Sequence, residues 1–266
     1  MPTGLIHAST QFIRTQKNLV ILSILLSAFS LLLPILGEKM VYGVEFFSSN
    51  ETVFNIPYDK LVADFWNWEV GMSSDESTPK QDGCLMNNNG SVVMLKSPTV
   101  TGSPRQVCEI TSDQAIMIPL WVAWCDNTPG GRERDPNVPL SKCAREEYNL
   151  GNIKSDVKVD GVPVAKLDVR MSLVSGSLDY KIFTLDNVSE IVTSNFKLVV
   201  PPNTQMPNLP AGTWDAGSHG WWVFLKPLPP GDHTIFYNIR VTPTGALTSP
   251  GTNPHFADIT YLMKVK

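Results

Sequence analysis

Acid–base and thiol chemistry has little material here. The 266 residues include only 4 His and 4 Cys, and charged residues make up 17% of the chain. No Gly-x-Ser-x-Gly, His-Glu-x-x-His or phosphate-binding loop is present, which excludes the common hydrolase-elbow, zinc-protease and nucleotide signatures. No Cys-x-x-Cys occurs, so zinc-ribbon and thioredoxin-like readings fall away. Lys and Arg number 21 against 25 acids, and no basic stripe exists to neutralise phosphates, so the sequence predicts no nucleic-acid partner. There is no internal repeat and no linker long enough to force a domain boundary. These absences exclude motifs rather than catalysis itself, because paired carboxylates can come from distant parts of a chain.

What the chain does have is apolar residues (42%) and turn formers, with Gly 18 and Pro 21. That composition suits a folded chain of many short strands rather than a disordered one. Residues 19–36 (LVILSILLSAFSLLLPIL) carry no charge, and Arg14 and Lys17 precede them. A positive flank followed by an apolar run is the export pattern. Val41-Tyr42-Gly43 ends on a small residue and predicts a signal peptide over 1–43. The apolar run also approaches the ~20 residues needed to cross a bilayer, so an uncleaved membrane anchor over 19–36 is the alternative. In that case the protein meets the membrane through 19–36 alone. Pro34 and Gly37 favour the processed form, and both forms place the rest of the chain outside the cytoplasm.

The four cysteines, Cys84, Cys108, Cys125 and Cys143, all follow the leader, and their even number predicts two disulfides in an exported protein. Three pairings are open. The sequential one, Cys84–Cys108 and Cys125–Cys143, is favoured because each bond then staples a local unit, each closure contributing about 3 kcal/mol. On that basis reduction should loosen the N-terminal half of the domain more than the C-terminal half. Asn50, Asn89 and Asn187 each open an Asn-x-Ser/Thr sequon, which makes them candidate glycan acceptors.

In residues 57–69, Leu61, Val62, Phe65, Trp66 and Trp68 follow a helical rhythm behind Pro57, predicting one amphipathic helix. Residues 71–82 read as polar loop. Beyond them the period shortens: 92–96, 107–110, 115–120 and 121–125 are β-prone runs. Asn89-Gly90 is a hairpin signal. Residues 126–142 read as a loop tied by Cys125 and Cys143, with a short helix over 142–150. Asp160-Gly161, inside the alternating run 157–164, predicts a second hairpin. Strands continue over 167–173, 180–185, 196–200, 221–225, 233–241 and 259–265, and proline clusters end them. The sequence therefore predicts an all-β fold, a β-sandwich or jelly-roll-like arrangement with one or two short helices. It forms a single disulfide-stapled domain over 44–266.

Three stretches carry a resemblance. The first holds Trp66-Asn-Trp68, Asp82-Gly-Cys84, Gly90-Ser-Val-Val-Met-Leu95, Arg105-Gln-Val-Cys108 and Ile116-Met-Ile-Pro119, then Cys125. The second runs from Val159-Asp-Gly161 through Val164 and Leu167 to Arg170. The third holds Gly220-Trp-Trp-Val-Phe-Leu225, Pro227-Leu-Pro-Pro-Gly-Asp-His-Thr-Ile235 and Asp258-Ile-Thr-Tyr261. Together they make the chain resemble a family of exported, β-rich bacterial and archaeal proteins with no established function. The resemblance spans most of the chain after the leader and implies a shared fold, but it brings no activity. His219 departs from the family pattern, which has an acid before the Gly-aromatic pair.

Several residues are candidates for chemistry. His219, His233 and His255 lie near Asp215, Asp232 and Asp258, but no pair of them has local metal-ligand spacing, so neither a metal site nor a cofactor is expected. Trp66, Trp68, Trp121 and Trp124 read as core. Trp214, in an expected loop over 211–220, sits among Asp215, His219 and Trp221, an arrangement suited to stacking on a sugar ring. The run Gly130–Asp135 puts Arg132 and Arg134 on a candidate recognition loop. Arg105, Glu109, Asp168 and Arg170 read as buried ion pairs organising strands. These features predict an exported, non-catalytic cell-surface or extracellular binding protein whose partner is a glycan or another surface protein. The alternatives are an extracytoplasmic glycan-acting enzyme, which needs a carboxylate pair or a His with an Arg or Tyr in one cleft, and an accessory subunit of a membrane-associated complex.

Overall fold

The computed structural model describes residues 43–49, 51–71, 84–86, 90–96, 105–129, 137–146, 151–174, 177–204, 209–242 and 255–266. The chain divides after Gly43, and Val44–Lys266 is one compact unit. The expected leader with its apolar run 19–36 lies outside the described residues, as do Asn50, Asn89, Arg132 and Arg134. Among the described residues no helix is long and apolar enough to cross a membrane.

The described elements are α1 (Tyr58–Gly71), β1 (Cys84–Met86), β2 (Val92–Leu95), β3 (Arg105–Ile110), β4 (Ala115–Asp126), α2 (Leu140–Glu146), β5 (Asn152–Val159), β6 (Val162–Val174), β7 (Ser177–Asp186), β8 (Ser189–Val200), β9 (Gly212–Leu225), β10 (Gly231–Thr242) and β11 (His255–Val265). They build an all-β sandwich of two sheets: a five-stranded one ordered β1-β2-β4-β9-β8 and a six-stranded one ordered β3-β11-β10-β5-β6-β7. Most pairs are antiparallel, while β2 with β4 and β3 with β11 run parallel.

Local chemistry accounts for the turns. Val159 faces Val162 across Asp160 (φ 52°) and Gly161 (φ 82°), the two left-handed positions of a type I′ turn. Cys84 faces Leu95 and Met86 faces Val93 across β1 and β2, with Gly90 at φ 72°; Asn89 of the expected hairpin lies outside the described residues.

Two apolar clusters set the layers. Between the sheets, Leu95, Ile116, Ile118, Trp221 and Val223 meet Ile153, Leu167, Ile235, Tyr237, Ile259 and Tyr261. On the other face of the five-stranded sheet, α1 lays Leu61, Val62, Phe65 and Trp66 over Met94, Met117, Leu198, Trp222 and Phe224. The five-stranded sheet is thus the middle layer. This double burial explains why β2, the first half of β4 and the last ten residues of β9 are buried without interruption rather than in alternation.

Three expectations need correction. The runs 115–120 and 121–125 are one strand, β4, whose register shifts between Pro119 and Trp121; a proline cannot donate to a central ladder, and the shift absorbs it. The expected loop 211–220 is the first half of β9, paired with β8 and β4. The second helix starts earlier than expected, at Leu140, and its residues 147–150 lie outside the described set.

The disulfides join Cys84 to Cys108 and Cys125 to Cys143, with Cα–Cα distances of 6.1 and 5.9 Å, the sequential pairing. Their reach is wider than a local staple, however. Cys84–Cys108 ties edge strand β1 of one sheet to edge strand β3 of the other, and Cys125–Cys143 ties β4 to α2.

Candidate functional site

Alternation along β9 decides where its side chains go. Trp222, Ala216 and Trp214 face the α1 side, whereas Trp221 faces the opposite sheet. The Trp214 indole N–H donates to the Pro210 carbonyl at 2.9 Å, and its ring lies back over Gly212, where a Cβ would sit 2.9 Å from it. A ring held this way packs back onto the sheet and stays partly exposed. Asp215 pairs with Lys197 and accepts from the Asn127 amide at 3.3 Å. The hydrogen bond and charge of Lys197 hold its carboxyl below the ordinary range. The expected Trp214–Asp215–His219 constellation does not form.

His219 instead joins residues that the sequence did not single out. Its side chain is 1% exposed, and Nε2 lies 2.7 Å from Glu190 Oε1 on β8. The Tyr180 hydroxyl on β7 donates to the same oxygen. The Arg145 guanidinium on α2 sits 4.3 Å from the centre of the Tyr180 ring, and Trp221 meets His219 edge-to-face at 5.1 Å. Burial alone would raise the Glu190 carboxyl, but hydrogen bonds from His219 and Tyr180, with the charges of His219 and Arg145, hold it below the ordinary range. Here an acid, an imidazole, a phenol and a guanidinium converge where both sheets and α2 meet.

A group whose folded value is depressed stabilises the fold above its unfolded value, and that contribution is lost as pH falls through the folded value. We therefore expect stability to decline on acidification below about pH 4. Glu190→Gln should flatten that slope in urea titrations run at several pH values.

The other candidates are dispersed. His233 Nδ1 lies 2.7 Å from Asp160 Oδ2 and Nε2 lies 2.9 Å from the Pro229 carbonyl, so its ring secures the β5–β6 turn against β10. The side chain of His255 lies outside the described residues, as does that of Arg105. Among the described residues no group of three or more His, Cys, Asp or Glu could hold a metal ion. Asp168 meets Lys154 at 3.4 Å and Arg170 at 3.9 Å, and Glu109 meets Lys266 at 2.6 Å. Most of these groups are solvent-facing, so the pairs are surface links across strands rather than buried ones. Asn187 is exposed in the β7–β8 turn at φ 52°, and its amide donates to the Val164 carbonyl at 2.8 Å.

A second feature spans the outer face of the six-stranded sheet. Arg240 on β10 faces Phe256 on β11 with its guanidinium 5.7 Å from the ring centre. Lys158 on β5 faces Phe236 on β10 at 5.9 Å. Arg170 on β6 and Lys181 on β7 lie 4.0 and 5.1 Å from the Phe183 ring. Phe183 and Phe256 are each almost half exposed. Paired acids lie among the cations, with Asp258 on Arg240 at 2.6 Å and Asp168 on Lys154.

Sequence alternation marks the outward positions 236, 238 and 240. The pairing of Phe256 with Arg240, and of Glu190 with His219, depends on strand register and sheet order, which no local pattern encodes. Compared with known proteins, the chain matches no family model and no curated sequence.

Proposed function

We propose that residues 44–266 form an exported, extracytoplasmic binding module that holds a glycan on the outer face of its six-stranded sheet. The observation that carries this reading is the set of three cation-flanked phenylalanines spread from β11 to β7. A pyranose ring stacks its C–H face on an aromatic ring, and its hydroxyls both donate and accept. Guanidinium and ammonium groups donate and the neighbouring carboxylates accept, so the mixed-sign pairs answer both demands. Two disulfides suit an oxidising compartment and support the extracytoplasmic setting. An exposed Asn187 suits a glycosylated surface of the module itself.

The test is a glycan-array screen with the full chain, followed by titration calorimetry on any hit. Phe183→Ala and Phe256→Ala should each weaken binding about tenfold, the loss of one stacking contact. Unchanged affinity in both variants would place the ligand elsewhere or remove the reading.

The convergence of His219 with Tyr180, Arg145 and Glu190 favours a second reading, an extracytoplasmic enzyme acting on a glycan. An imidazole and a phenol within one hydrogen-bonded set can share acid and base roles, and a guanidinium can neutralise developing charge. As described, Glu190 occupies both the imidazole and the phenol, so this reading requires the cluster to open. Release of reducing ends or unsaturated products from a bound glycan would distinguish it from binding alone.

A further inference from the structure

We propose that α2 is a disulfide-tethered cap over the Tyr180–Glu190–His219 cluster, released when the Cys125–Cys143 bond is reduced. The helix has seven residues, too few to persist alone in water, so what holds it must come from outside it. Three anchors are visible. Cys143 is bonded to Cys125 on β4. Arg145 stacks on Tyr180. The helix start rides directly on the β9 backbone: a Cβ on Gly217 would lie 2.7 Å from the Leu140 carbonyl carbon and closer still to the Ser141 nitrogen. Only a glycine admits that approach, and Gly217 sits two residues before His219 on the same strand.

The bond is placed to be cut. Cys125 is buried, whereas Cys143 is partly exposed. A dithiol attacks the Cys143 sulfur, the S–S bond breaks, and Cys125 leaves as a thiolate that takes a proton. The second thiol of the reductant then closes its own disulfide and frees Cys143 as a thiol. Each turnover moves two electrons and two protons from the dithiol to the protein.

The experiment uses the full oxidised chain and two variants. Cys125→Ala/Cys143→Ala removes the tether and keeps Cys84–Cys108. Gly217→Ala keeps both bonds and pushes the helix off β9. Acylation of each histidine by diethyl pyrocarbonate is read by peptide mass spectrometry, and hydrogen exchange is read over 140–146 and over β4 and β9. Both variants should raise His219 acylation at least about tenfold, with faster exchange over 140–146 and unchanged His233 reactivity. The proposal is overturned if His219 stays protected in either variant. It is equally overturned if the β4 and β9 amides open together with His219, since the bond then holds the fold rather than a cap. Glycan turnover plays no part in this readout, so failure of the enzyme reading leaves the cap to stand or fall by itself.

Discussion

Replacing Trp222 with alanine is expected to cost about 3–5 kcal/mol of folding stability. Trp222 is fully buried in β9, opposite Pro119 of β4 and Ser189 of β8, at the centre of the middle layer. Its ring meets Phe65 of α1 edge-to-face at 5.0 Å, and Phe65 in turn touches Trp66 and Trp68. Removing the indole opens a void that rigid strands cannot close from below, and α1 loses the surface that orients it. Trp222→Phe separates two causes. The indole N–H has no hydrogen-bond partner among the described residues, so phenylalanine removes an orphaned donor while keeping most of the volume. It should cost about 1 kcal/mol or less. Equilibrium denaturation of both variants checks this, and equal losses would show that volume does not decide the site.

The second large effect is expected from Cys84→Ala/Cys108→Ala. The bond closes a separation of 24 residues, and its removal should cost about 3 kcal/mol, read as a lower denaturant midpoint. The place of the damage matters as much as its size. Among the described strands β3 lies at one edge of the six-stranded sheet and pairs only with β11. Freeing Cys108 should therefore raise hydrogen exchange in Val107–Ile110 and in the facing Leu262–Val265, at the far end of the sequence. This replaces the expectation that reduction loosens the N-terminal half, which assumed that a bond local in sequence is local in space. Faster exchange confined to residues before 144 would restore that assumption.

Much of the architecture was legible from periodicity. The rhythm of Leu61, Val62, Phe65 and Trp66 announces α1, Asp160-Gly161 announces its hairpin, and alternation in β5 and β10 announces strands with one wet face. The middle layer was harder. Residues 211–220 contain three glycines, an Asp and a His, and by composition they read as a loop. They are strand because Gly217 and Gly220 admit α2 and Val122 at distances that any Cβ would block, a requirement visible only once the neighbours are in place. The candidate site was less legible still. His219 and Trp221 could be singled out, but Tyr180, Glu190 and Arg145 reach them from two other strands and a helix.

The parallel pairing of β3 with β11 bears on the order in which the chain can assemble. Residues 105–110 are made long before their strand partner, residues 260–265. The Ser112 amide donates to the Lys266 carbonyl at 3.0 Å, and the Lys266 amide to the Ile110 carbonyl at 2.9 Å, so Lys266 extends the seam beyond the two strands. A growing chain must therefore carry an open strand edge until residues 260–265 arrive, and contacts so far apart in sequence form slowly. Cys84 and Cys108 emerge together long before that. Their bond can preset the meeting point of the two sheets, so that late closure becomes the docking of one strand onto a prepared edge.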